Sequence, residues 1–147
     1  MPYDNDGESV SMDSALDAWE PHVLALLTDA ARKYNGVVTY TQLGEAVQEQ
    51  SGIRHKGLLT SWIGSLLARV IDHCVRAGTP QLSALCVKED GTVGEGYRHA
   101  LLAAGSRVDE LNLDQLDDHA AHVRRECYRH FGAGLPPTGV TTSPRKP

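Results

Sequence analysis

The side chains best suited by type and spacing to do chemistry are cationic and hydroxylic. Arg54, His55 and Lys56 follow one another in a turn, and the hydroxyls of Thr60 and Ser61 come just after them at the front of a long amphipathic run. Groups of this kind at a helix N-terminus meet phosphate oxygens with charge, hydrogen bonds and the positive end of the helix dipole. Ser65 and Arg69 continue the polar side of the same run, Tyr40, Thr41 and Gln42 open the helical segment before it, and Lys88 lies at a later turn. Together these residues make the candidate DNA-contacting set. At each of them a solvated surface competes with a phosphate contact: Asp72 shares the polar face, and Glu89 and Asp90 adjoin Lys88.

A second group, His119, His122, Glu126 and His130, recurs at helical steps near the C-terminus. One helix seldom closes a metal site, and the spacing differs from the His-Glu-x-x-His pattern, so no metal is assigned. The expected role is a hydrated or partner-facing surface whose charge rises as pH falls. Arg124, Arg125 and Arg129 flank it and could hold a phosphate or an acidic partner. No motif pairs a nucleophile with a base, so a non-enzymatic protein without cofactors is expected.

These residues need elements to position them. Pro21 suits the first turn of a helix, followed by Val23, Leu24, Leu27, Ala30, Ala31 and Tyr34 at helical spacing and a stop at Asn35-Gly36. Val37 to Tyr40 predicts a short strand, and Thr41 predicts the cap of a brief helix ending near Ser51-Gly52. After the basic turn, Leu58 to Ala77 predicts the strongest helix, with Leu59, Trp62, Ile63, Leu66, Leu67, Val70, Ile71 and Cys74 inward and Trp62 buried. Leu82 to Val87 predicts a strand, Glu89-Asp90-Gly91-Thr92 a tight hairpin and Val93 to Tyr97 its returning arm. Helices are expected from about Arg98 to Ala104 and Asn112 to Phe131, the latter with Leu113, Leu116, Ala120, Val123, Cys127 and Phe131 inward.

The chain has 147 residues, 41% of them hydrophobic and 22% charged, which matches one globular domain. The expected division is an acidic disordered leader at 1–17, a folded domain at 18–132 and a disordered Pro/Thr-rich tail at 133–147. Asp4, Asp6, Glu8, Asp13 and Asp17 account for the whole formal charge of −5, leaving the remainder neutral. That one-sided leader could act as an internal phosphate mimic covering the basic turn. The apolar runs are too short for a membrane span, and the N-terminus lacks the pattern of a secretory signal, so a cytoplasmic protein is expected. Cys74, Cys86 and Cys127 are odd in number and sit at apolar positions, the usual place of reduced core thiols.

The order helix, short strand, short helix, turn, long helix, strand, Asp-Gly hairpin, strand predicts an α+β, mostly helical fold: a winged helix-turn-helix with an N-terminal helix and C-terminal helices. Several segments resemble O6-alkylguanine-DNA alkyltransferases and the alkyltransferase-like proteins. Tyr40-Thr41-Gln42-Leu43-Gly44 resembles the entry to their helix-turn-helix, Ile63-Gly64-Ser65-Leu66-Leu67 the run after their arginine finger, and Val87 to Tyr97 their wing. Leu101-Leu102 is similar to the helix that follows, and the resemblance spans about residues 37–104. It implies duplex binding. The chain departs from the family where the chemistry lies: Ser83 stands in place of the alkyl-acceptor cysteine and Ser61 in place of the finger arginine. Alkyl transfer is therefore rejected and base flipping unsupported.

The function expected is a non-enzymatic DNA-binding protein in regulation or duplex recognition, with double-stranded DNA as partner. The alternative is a protein-interaction adaptor or inhibitor of phage or host type, using the last helix or the acidic leader as its contact surface. A homodimer is compatible with either.

Overall fold

The computed structural model describes residues 2–94, 97, 98, 101, 102, 105 and 110–132. The chain is α+β and mostly helical: β1 (Pro2–Tyr3), α1 (Met12–Ala31), β2 (Val38–Thr39), α2 (Tyr40–Ser51), β3 (Arg54–His55), α3 (Ile63–Ala77), β4 (Cys86–Val87) and α4 (Leu113–Phe131). Two short 3-10 turns, Leu59–Ser61 and Leu82–Leu85, lead into α3 and β4.

Helix α1 begins well before Pro21. Ser11 caps it by accepting the Ser14 N–H at 3.1 Å, and Ala15, Leu16 and Trp19 extend the apolar stripe through Val23, Leu27 and Ala31. Pro21 thus lies in the helix interior with its ring on the exposed side, not in the first turn. Burying that long stripe against α2, α3 and α4 outweighs the backbone bond the proline removes.

The expected disordered leader is replaced by structure at residues 2–17. Residues 12–17 are helical, and before them Asp4 folds the chain by accepting the N–H groups of Asp6 and Glu8 at 2.9 and 3.0 Å. Pro2 and Tyr3 pair antiparallel with His55 and Arg54. The expected tail at 133–147 lies outside the described residues.

The strand at 37–40 shortens to Val38–Thr39, which pairs in parallel with Cys86–Val87. Thr39, not Thr41, caps α2: Thr39 Oγ1 accepts the Gln42 N–H at 3.1 Å while Gln42 Oε1 accepts the Thr39 N–H at 3.0 Å. The run from Leu58 to Ala77 is not one helix. It breaks at Trp62 (φ −134°, ψ −18°), whose indole lies 4.5 Å centroid to centroid from that of Trp19. Trp62 thus stands outside the helical region with its indole against Trp19, and α3 proper starts at Ile63.

The segment expected as a strand from Leu82 is a 3-10 turn up to Leu85. The Asp-Gly turn forms as expected: Gly91 donates to Lys88 O at 2.9 Å, Lys88 donates to Thr92 O at 2.8 Å, and Gly91 takes φ +86°, which a side chain would resist. Val93 and Gly94 do not form a returning strand, and Tyr97 is helical. The Val93 N–H instead donates to Asp117 Oδ1 on α4 at 2.8 Å. Glu95, Gly96 and the remainder of the expected 98–104 helix, apart from Arg98, Leu101 and Leu102, lie outside the described residues.

Two clusters hold the fold. The larger joins α1, α2 and α3 around Trp19 and Trp62, both essentially inaccessible; the smaller joins Ala84, Val87, Val93, Tyr97 and Leu101 to Leu116 and Ala120 of α4. Leu113, expected inward, is 55% exposed because it occupies the first position of α4, ahead of the packed turn. All three cysteines are free and buried. Among the described residues no helix is long and apolar enough to cross a membrane.

Candidate nucleic-acid interface

Helix α2 packs against the 3-10 turn that leads into α3, with Gly44 facing Leu59. A Cβ on Gly44 would lie 2.5 Å from Leu59 Cδ1, so alanine there fits only if the end of the Leu59 side chain moves aside. Gln48 ties the same junction together: its Oε1 accepts the His55 N–H at 2.9 Å and its Nε2 donates to Gly44 O at 3.0 Å. The basic turn is therefore a fixed shelf between the helices.

Within that shelf Arg54 and Lys56 are exposed, but His55 is not their equivalent. Its ring stacks on Trp62 at 6.0 Å, and Nδ1 accepts the Gly57 N–H at 2.8 Å, which requires that nitrogen to be unprotonated. Partial burial lowers the imidazole pKa below its ordinary value. His55 is a packed neutral ring at pH 7, and the cationic trio reduces to two charges. The Lys56 ammonium sits 5.3 Å from the centre of the Tyr3 ring, a cation–π distance.

A groove of about 400 Å³ opens at the 3-10 turn that follows this shelf, lined by Tyr40, Leu59, Thr60, Ile63, Gly64, Leu67, Lys88 and Gly94. It joins the start of α2, the start of α3 and the turn after β4. Tyr40, Thr60 and Lys88, far apart in sequence, thus share one concavity. The Tyr40 hydroxyl is held neutral, its pKa pushed up to about 12 by burial and then by the nearby Cys86. Gly64 adds no side chain, and a Cβ there would meet nothing within 4 Å.

The other candidates are dispersed. Arg69 does not face outward as a free cation: it pairs with Asp17 and, at 3.3 Å, with Glu20, both on α1. Gln42 spends its carbonyl oxygen on the α2 cap and lines a different depression, with Leu26, Lys33 and Val37. Ser61 Oγ donates to Leu58 O at 2.6 Å. Thr41 and Ser65 are exposed.

The apolar lining of the groove was not singled out from the sequence, because Leu59, Ile63 and Leu67 read there as core. Gly64 was the available signal: a glycine inside a strongly amphipathic helix costs about 1 kcal/mol against alanine and asks for a reason.

The C-terminal histidines also separate. His119 Nδ1 lies 2.9 Å from the Tyr97 hydroxyl, whereas His122 pairs with Glu126 at 3.7 Å and His130 packs edge-on against Phe131. Among the described residues no His, Cys, Asp and Glu cluster could hold a metal ion. The expected phosphate-holding arginines are partly committed, Arg124 donating to Ala84 O at 2.8 Å and Arg125 to the Tyr34 hydroxyl at 3.2 Å. Ser83 is buried with its hydroxyl unpaired, and burial pushes the Cys86 thiol up to about 12, so neither is an activated nucleophile. Comparisons with protein-family models, curated proteins and solved structures find no match.

Proposed function

We propose that this chain is a non-enzymatic DNA-binding protein in which α2, α3 and the turn after β4 work as a winged helix-turn-helix, serving regulation or duplex recognition. Arg54 and Lys56 contact the phosphate backbone on one side of the groove and Lys88 on the other. The observation that carries this reading is the convergence of Tyr40, Thr60 and Lys88 on one groove, entered directly after an exposed Arg54 and Lys56. The exposed start of α3 carries Gly64, Ser65 and Ala68, small residues that permit close approach of the helix to a duplex. Further along, Asp72 pairs with Arg76 at 3.0 Å, so only the first turns of α3 face the polyanion. The order of elements and the resemblance to the alkyltransferase-like proteins support the same reading. Contacts of this kind give affinity through counterion release and little base discrimination.

Titration of a labelled duplex across a salt series tests it. Lys88→Glu should weaken binding several-fold and lower the salt slope by about one. No retention of duplex by the unaltered chain at low salt contradicts the proposal.

One observation favours the adaptor alternative. Leu58 is 79% exposed at the edge of the shelf, and Leu59, Ile63 and Leu67 give the groove an apolar wall suited to a hydrophobic side chain of a protein partner. Binding of such a partner would persist at high salt and be lost in Leu58→Asp.

A further inference from the structure

The N-terminal segment is folded onto the very turn that supplies the phosphate contacts. Pro2 pairs with His55 and Tyr3 with Arg54, while the Tyr3 ring lies 5.3 Å from the Lys56 ammonium. The segment turns back on itself through Asp4 N–H to Glu8 O at 3.0 Å and Val10 N–H to Pro2 O at 2.8 Å. The Asn5 amide lies against the backbone of Gly52, just ahead of β3. Three carboxylates, Asp4, Asp6 and Glu8, are thereby carried on a small lobe whose strand pairs with Arg54 and His55.

We infer that the lobe Pro2–Val10 is a built-in competitor for the phosphate-contacting shelf: docked on β3 it weakens duplex binding, and released from β3 it frees the shelf for tight binding. This rests on the DNA-binding reading. The physical basis is threefold. The Tyr3 ring holds the Lys56 ammonium at a cation–π distance, so a phosphate competes with the ring for it. The lobe's negative charge lowers the local potential that would attract a polyanion. And the lobe's backbone pairing with β3 is only two residues long, so its release is a local opening that frees Pro2 and Tyr3 and leaves the helical core in place. The docked lobe and the duplex thus compete for one surface, and a signal that removes the lobe, by partner binding or processing, would switch the protein on.

The full-length double variant Pro2→Cys/His55→Cys tests this, because the two positions are register partners and both shelf cations are kept. Oxidation locks the lobe down and reduction frees it in the same molecule. The oxidised form should bind a labelled duplex at least tenfold more weakly than the reduced form. Independently, Asp6→Asn/Glu8→Gln should tighten binding of the otherwise unaltered chain at least fivefold at low salt, against less than twofold for Asp114→Asn/Asp118→Asn on α4. Equal affinity of the oxidised and reduced forms, or equal tightening by both neutralised pairs, overturns the competitor while leaving DNA binding intact. Absence of duplex binding by every form, unaltered chain included, overturns both.

Discussion

The indole N–H of Trp19 donates to the carbonyl oxygen of Ile53 at 2.9 Å, tying the middle of α1 to the residue that opens the basic shelf. Trp62 packs tilted against the same indole, 4.5 Å between ring centroids, and the His55 ring stacks on Trp62 in turn, so the two tryptophans support the shelf. Replacing Trp19 by Phe keeps most of the packing but leaves that carbonyl only the longer contact from Ser51 Oγ at 3.4 Å. A loss of about 1–3 kcal/mol in urea unfolding is expected. Trp19→Ala should cost about 3–5 kcal/mol by leaving a cavity.

Gly44 and Gly64 are both helical, and alanine at either gains the same intrinsic propensity. At Gly64 nothing stands within 4 Å of the added Cβ, so Gly64→Ala should stabilise the chain by about 0.5–1 kcal/mol. At Gly44 the new methyl must displace Leu59, so Gly44→Ala should be neutral or destabilising. Thermal melts of the two variants side by side read the fit between α2 and the Leu59–Ser61 turn.

Arg69 separates structural from functional charge. Its side chain is 31% exposed and shared between Asp17 (72% exposed) and Glu20 (23% exposed), an arrangement heavily screened on the Asp17 side. Arg69→Gln should cost no more than about 1 kcal/mol and leave the salt slope of duplex binding unchanged. A slope reduced by about one would return Arg69 to the interface.

Acid should loosen the fold through two histidines. Burial lowers the pKa of both His55 and His119, and the positive charge of His122 adds to the effect at His119. The unfolded chain therefore binds more protons than the folded one from about the ordinary value of 6.5 down to the depressed values. Their contribution is fully present above that value and is lost as pH falls through the folded pKa values. Melting temperature should fall between pH 7.5 and 5, less steeply in His119→Gln; a flat or rising profile contradicts this assignment.

Much of the helical content was legible in the sequence because amphipathic stripes announce themselves locally. The C-terminal ends at Ser51-Gly52 and Ala77-Gly78, and the Asn112 start of α4, follow from caps and periodicity. Pro21 misled because a proline signals a helix start only when nothing upstream forms a better one, and Ser11 with Ala15, Leu16 and Trp19 does. The break at Trp62 goes with its packing on the Trp19 ring, a contact that no neighbouring residue encodes. Likewise the pairing of Tyr3 with Arg54, and of Arg69 with Asp17 and Glu20, joins residues with no local periodicity between them. Types and exposure of Arg54 and Lys56 were readable; the neutrality of His55 required its contacts with Trp62 and Gly57.

The salt dependence of duplex binding by the unaltered chain and by Arg54→Glu/Lys56→Glu tests the central claim most directly. If these cations neutralise phosphates, the double variant binds more weakly and its slope of log affinity against log salt is shallower by about two. Identical slopes and affinities for the two proteins would contradict it.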